Sequence, residues 1–195
     1  MSERRHHKPM TPGALFFESM VGGADPQLVS EAADRAATLL VRGARTSGDD
    51  AVARRLIHLA ETEGLETLAD VWAGSPADSL AGCLWRLYVM RSWVYGAPVL
   101  AAQQFEAGRQ TAQVARVIAG VADPPGPDEL KAMVDQVLAG IAGGDFADVL
   151  LRAAAFARVV AVGRAHLSSP DAARMLTLSE QLEVAAHQEL AGELA

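Results

Sequence analysis

Apolar residues recur at intervals of three and four positions along most of this chain, and turn-forming residues separate the stretches in which they do. The clearest stretch is residues 126–167, GPDELKAMVDQVLAGIAGGDFADVLLRAAAFARVVAVGRAHL. At helical spacing its first half aligns Leu130, Val134, Val137 and Ile141. Its second half aligns Val149, Ala153, Phe156, Val160, Gly163 and Leu167. This spacing predicts two helices, which the short connection at 143–145 joins as an antiparallel hairpin.

The same periodicity predicts helices before this hairpin. Asp25 is a suitable N-cap and Pro26 a suitable first residue for a helix. The apolar face of that helix is predicted to be Val29, Ala33, Ala36 and Leu40, opposite Glu31, Asp34 and Arg42. Residues 49–64 repeat the pattern, and a short helix is predicted in LETLADVWAG, residues 65–74.

Cap residues predict two further helix starts. Ser75, followed by Pro76 and Asp78, is a strong start signal for the helix in residues 75–96. A less regular helix is predicted after Pro98, and an irregular connection in VADPPGP, because proline interrupts a helix. Ser169 and Pro170 begin a last helix, with an inward face predicted to be Met175, Leu178, Leu182 and Ala185.

No stretch alternates apolar and polar residues as a half-buried strand does. The predicted fold class is therefore all-α, with seven to eight helices packed as antiparallel αα-hairpins, in a helical bundle or a short α-solenoid. Residues 25–195 are expected to form a single helical domain. Residues 1–24 are expected to form a basic, partly flexible tail, in which Leu15, Phe16 and Met20 can dock a short helix.

Residues 75–96, SPADSLAGCLWRLYVMRSWVYG, hold both tyrosines and two of the three tryptophans. On a helical wheel a wide apolar arc contains Leu80, Cys83, Leu84, Leu87, Tyr88, Met90, Val94 and Tyr95. The opposite side carries a second apolar row, which we call the tryptophan stripe: Trp85, Val89 and Trp93. Arg91 falls near the middle of the wide arc. A helix that is apolar on two sides has to be covered on both.

The net charge and the composition argue against two classes of binding partner, nucleic acid and membrane. The net charge of −7 argues against a broad nucleic-acid surface, which needs a basic stripe to neutralise phosphates. No apolar run approaches the roughly 18 residues that span a bilayer. The single cysteine, Cys83, forms no internal disulfide. We therefore expect a cytoplasmic protein that binds neither nucleic acid nor membrane.

The chain offers little chemistry for catalysis or for metal binding. Glu183 and His187 lie one turn apart, but no second pair accompanies them, so we expect no metal site and no cofactor. Cys83 lies among leucines, where a thiol behaves as a small apolar group. No Gly-x-Ser-x-Gly, Gly-x-Gly-x-x-Gly or Walker-type loop is present. No catalytic residue is predicted, and the balance is against an enzyme.

Three runs resemble a known family: SLAGCLWRLYVMRSW, VIAGVADPPGPDEL and RAAAFARVVAVGRA. They are similar to short helical proteins of high-GC bacteria, some of which carry a borrowed RNA polymerase β-subunit name. The resemblance covers roughly residues 65–167. It implies no established activity, and no functional residue follows from it.

The aromatic helix leaves three interpretations open. Both apolar sides can be core. The tryptophan stripe can instead be an interface with a second copy or with another protein, since tryptophan is enriched in interfaces. Alternatively Tyr88, Arg91 and Tyr95 can line a pocket for an anionic ligand. The leading functional hypothesis is a non-enzymatic interaction or regulatory module that self-associates or binds protein; the alternative is a small-molecule binding protein with an inter-helix pocket.

Overall fold

A computed structural model describes residues 26–42, 65–111, 126–139 and 146–194. Within these ranges the fold is all-α, with no strand. In chain order the seven helices are α1 (Pro26–Arg42), α2 (Leu65–Trp72), α3 (Leu80–Gly96), α4 (Pro98–Thr111), α5 (Pro127–Ala139), α6 (Phe146–His166) and α7 (Ala172–Ala191). Among the helices so described, none combines the length and the apolar character needed to cross a membrane.

Helix α6 is buried along most of its length and packs most extensively against α7. The pair is an antiparallel hairpin, because only residues 167–171 connect the two helices. Two polar contacts join their middle turns: Ser179 Oγ donates to the Ala154 carbonyl at 2.8 Å, and Arg158 pairs with Glu183 at 2.8 Å. Ser179 is fully buried, so its hydrogen bond satisfies a hydroxyl that water cannot reach.

Helix α4 also packs against α6, in the antiparallel direction. The two backbones meet at Gly108 and Gly163: a Cβ built on Gly163 would lie 1.7 Å from the Gln104 carbonyl oxygen. Only glycine permits so close an approach. Next to this contact the rings of Phe105 and Phe156 stack with their centroids 5.4 Å apart. The main packing partners of α6 are thus α7 and α4. Helix α5, which precedes α6 in the chain, packs against it less extensively.

Helices α1 and α2 cover one side of α3. The Trp72 side chain is buried there, and its indole nitrogen donates to the Ala33 carbonyl at 3.3 Å. At the end of α1, the Arg42 guanidinium donates two hydrogen bonds to Glu189 and one to the Leu194 carbonyl. This bidentate pair connects the ends of α1 and α7, which are far apart in the sequence.

Several details of the sequence prediction are confirmed. The first described helix begins at Pro26, and α2 lies within residues 65–74. The predicted inward face of α7 is buried or half-buried throughout. On α3 the wide arc is core for six members, Leu80, Cys83, Leu84, Leu87, Met90 and Val94, whereas Tyr95 is exposed. All-α packing in helix pairs is therefore established for the described part of the chain.

Other details are wrong. Helix α3 is capped by Ser79, whose Oγ accepts from the Gly82 backbone N–H, and not by Ser75. Helix α7 begins at Ala172, after Asp171, instead of at Ser169 and Pro170.

The predicted faces also differ in two places. The buried residues of α1 are Ala33, Ala37, Leu39 and Val41, while Val29 is exposed, so the covered face is rotated from the prediction. Leu167, predicted as core, is 50% exposed because α6 ends at His166 and the chain turns there.

Five predictions fall wholly or mainly outside the described residues. These are the tail at 1–24, the N-cap at Asp25, the helix at 49–64, the irregular connection at 121–127, of which only the last two residues are described, and the hairpin turn at 143–145. Of the predicted face of α5, Leu130 is fully buried; the side chains of Val134, Val137 and Ile141 lie outside the described part.

Candidate functional site

The tryptophan stripe forms one wall of a groove between α3 and α7. Trp85 and Trp93 are half-buried and pack against the core, while Val89 between them is 40% exposed. The stripe is thus neither sealed inside the fold nor displayed on an open surface. Met175 and Leu178 of α7 form the opposite wall.

The groove has a volume of about 520 Å³. It is lined mainly by apolar atoms and is open to solvent. Its polar lining comes from four charged side chains and two neutral ones: Arg86, Arg164, Asp171, Arg174, Thr177 and Gln181. Apolar walls with a few convergent polar groups are the usual composition of a small-molecule site.

Arg164 is the most buried of the charged groups in the groove, with 8% of the residue exposed. Its Nε donates to Gln104 Oε1 at 2.8 Å, and its Cζ lies 4.6 Å from the centroid of the Trp93 ring. Burial lowers the pKa of the Arg164 guanidinium, against a smaller opposing effect of the Asp171 charge. No carboxylate of the described residues lies within ion-pair distance of it.

Two more arginines flank the groove. Arg86 donates from Nε to Gln181 Oε1 and from a terminal nitrogen to the Gly82 carbonyl, both at 2.8 Å. Arg174 is mostly exposed and lies 3.4 Å from Asp171. Three arginines against one aspartate leave the groove locally positive, although the whole chain carries −7.

The residues proposed for an anion pocket lie elsewhere on α3. Arg91 donates from Nε to Asp135 of α5 at 2.9 Å, and the Tyr95 hydroxyl donates to the same carboxylate. This hydrogen bond raises the pKa of the Tyr95 phenol. The Arg91 Cζ also lies 4.1 Å from the centre of the Tyr95 ring. Arg91 therefore has an acidic partner, Asp135, that the sequence could not identify.

Tyr88 lies apart from that cluster. It is half-buried and stacks on Trp85 with ring centroids 5.7 Å apart. Tyr88, Arg91 and Tyr95 line neither of the two cavities described here. The pocket hypothesis for these three residues stays a prediction.

A second cavity, of about 600 Å³, lies among α4, the start of α5 and the end of α6. Its polar lining includes Gln103, Glu106, Gln110 and His166. Glu106 is held by Arg109 at 2.9 Å, and this hydrogen bond lowers the pKa of the Glu106 carboxyl. The carboxylate therefore already has its cation, and the cavity offers no comparable unpaired charge.

Groups that could support catalysis or metal binding lie outside the groove. Cys83 is fully buried, and burial raises the pKa of its thiol to about 12. His187 is exposed on α7. Among the residues that the structure describes, no three histidine, cysteine, aspartate or glutamate side chains come together as a metal site.

Comparisons with known protein families, with curated proteins and with solved structures find no match to this chain. Sequence reasoning found the α3 wall of the groove and missed Arg164, Arg174 and Met175 as parts of the same site. The one available signal was an arginine in the apolar run VVAVGRA of α6.

Proposed function

We propose that this chain is a helical binding module, and that the groove between α3 and α7 is its binding site. One observation carries the proposal: two half-buried tryptophans and an exposed valine form the wall of a concave, mainly apolar groove. Its volume of about 520 Å³ lies within the range, roughly 300 to 1,000 Å³, of sites that hold small molecules.

A binding role is favoured over catalysis by the groups that line the groove. Arginines stay protonated at any working pH, so they position charge and do not transfer protons. The Asp171 carboxylate lies beside Arg174, and the Cys83 thiol is in the core. A cytoplasmic location belongs to the same proposal, since a free buried cysteine suits a reducing compartment.

The occupant can be a small molecule, or it can be a second copy or another protein, as the leading sequence hypothesis has it. Native mass spectrometry of protein purified gently from its own host separates these cases. An added mass of a few hundred daltons identifies a small ligand. A dimer or an added polypeptide identifies a protein partner.

A pair of valine substitutions tests whether the groove is the site. Val89→Asp places a charge on the exposed part of the tryptophan stripe, where the folded state can hydrate it. Val184→Asp is the matched control on α7, because Val184 is 56% exposed and does not line the groove. We expect both variants to melt near the wild type, and only Val89→Asp to lose the bound species. Loss in both variants, or in neither, would contradict the proposal.

A further inference from the structure

The charges in the groove indicate which occupant it suits. Resting on the proposed binding function, we propose that the occupant is a small amphipathic organic anion. Its charged head pairs with Arg164, and its apolar body lies along Trp85, Val89 and Leu178. Carboxylate, sulfonate and phosphate heads share the chemistry that a guanidinium recognises.

The pairing of the other arginines supports this inference. In the described part of the chain, six arginines lie within 4 Å of a carboxylate: Arg42, Arg91, Arg109, Arg152, Arg158 and Arg174. Of the remaining three, Arg35 is exposed on α1, whereas Arg86 and Arg164 line the groove and hydrogen-bond to neutral oxygens. The arginines without a carboxylate that are also withdrawn from water thus face one cavity.

Arg164 requires an anion more than Arg86 does. A buried charge is costly unless a group of opposite charge compensates it. The described contacts of Arg164 are one amide oxygen and the face of the Trp93 ring, and neither carries a full negative charge. The Asp171 carboxylate acts on Arg164 only from beyond ion-pair distance, and its effect on the pKa is smaller than that of burial. The hydrogen bond of Nε to Gln104 fixes the guanidinium plane. The two terminal nitrogens of Arg164 donate to no other described residue, so a head group can accept from them.

Depth favours a small anion over a protein segment. Arg164 is only 8% exposed as a residue, whereas the Arg174 side chain is 88% exposed. A group so little exposed admits one narrow head group, whereas the broad face of a docked helix would contact the exposed side chains first. A small molecule with its anion at one end suits the groove, with the charge at Arg164 and the apolar body along Val89.

Two fluorescent probes with nearly the same aromatic body test the charge requirement. One is 8-anilinonaphthalene-1-sulfonate, which carries an anion; the other is N-phenyl-1-naphthylamine, which has no sulfonate. Both are titrated into the full chain, and Kd is measured for each. We expect wild type to prefer the sulfonate by about tenfold, which corresponds to one charge-assisted hydrogen-bonded pair.

Substitution of Arg164 should remove this preference without removing the site. In Arg164→Met the Kd of the sulfonate should rise about tenfold, while that of the uncharged amine stays within about twofold. Arg164→Gln, which keeps a donor for the Gln104 amide, is the second variant if the methionine variant does not fold. Arg152→Met, an exposed arginine outside the groove, is the control and should keep the preference.

The possible results distinguish a failure of the anion proposal from a failure of the proposed binding function. Equal Kd values for the two probes in wild type would contradict the proposal that the occupant is an anion. A preference for the sulfonate that survives the loss of Arg164 would contradict it as well. If Val89→Asp then still abolishes the binding of both probes, the groove remains the binding site. If neither probe saturates and the native mass is that of the bare chain, the proposed function itself fails. A native dimer that neither probe dissociates would make a second copy the occupant, and would also overturn the anion.

Discussion

The close contact of α4 with α6 makes Gly163→Ala a demanding test of the fold. The added Cβ would lie 1.7 Å from the Gln104 carbonyl oxygen and 2.8 Å from the Gly108 nitrogen, whereas ordinary contact begins at 3.4 Å. About 1.7 Å of extra separation is therefore needed along this contact. Both neighbours are backbone atoms of a helix, so no side-chain rotation can relieve the overlap.

The magnitude follows from two opposing effects. Overpacking of this kind costs about 3 kcal/mol, the upper part of the usual range, because a whole helix has to move. Alanine in place of a helical glycine stabilises the folded state by about 1 kcal/mol through its higher helix propensity. The net loss is about 2 kcal/mol, which lowers the Tm of a chain of this length by about 4–8 °C.

Thermal and urea unfolding, followed by circular dichroism, measure this loss. Gly96→Ala is the matched control, since Gly96 is the last residue of α3 and a Cβ there meets no atom within 4 Å. It should be neutral or stabilise by up to about 1 kcal/mol. The double variant Gly108→Ala/Gly163→Ala should lose less than the sum of the single losses, because one separation relieves both overlaps. The reasoning is refuted if Gly163→Ala has the same Tm as wild type, or if Gly96→Ala lowers the Tm by the same amount.

Two further predictions concern an ion pair and a thiol. Arg42→Met should cost about 2 kcal/mol in urea unfolding, because it leaves the Glu189 carboxylate, 10% exposed, without its cation. Arg152→Met, which breaks an exposed pair, should cost about 0.5 kcal/mol or less, and equal losses would count against this. Cys83 should react with a disulfide reagent only as fast as the protein unfolds, since burial raises its pKa to about 12 from 9.0. The unfolded chain ionises first, so stability from this group is complete below about pH 9 and falls as the pH rises toward 12. Cys83→Ala should lack that component in alkaline melts; an identical pH dependence would refute it.

Helical periodicity predicted most features that depend on a single segment of the chain. It identified the described helices and the buried arc of α3, because residues three and four apart share a face whatever lies against it. For α1 the same reasoning was right about Ala33, which is buried, and wrong about Val29, which is exposed, because the neighbouring helices cover Ala37 and Val41 instead. Periodicity states which residues are on one side; it does not state which side another helix covers.

Helix starts show a similar division. Ser75–Pro76 has the composition of a cap, and so does Ser79, which is the one used. A local contact accompanies this choice: the Pro76 carbonyl lies so close to Gly82 that a Cβ there would be 1.6 Å from it. The 75–79 segment therefore packs against the first turn of α3, and the helix begins after it.

What the sequence determined by itself was the class of the fold, the apolar load of α3 and the tryptophan stripe, since these depend on spacing within single segments. Tertiary structure alone decided that Arg91 meets Asp135 and that Arg164 meets Gln104 and Trp93, pairs separated by 44, 60 and 71 positions. Such contacts depend on how each helix is rotated and on how closely neighbouring helices approach, as at Gly108 and Gly163. These geometric relations are set by packing of the whole chain, and therefore so is the groove between α3 and α7.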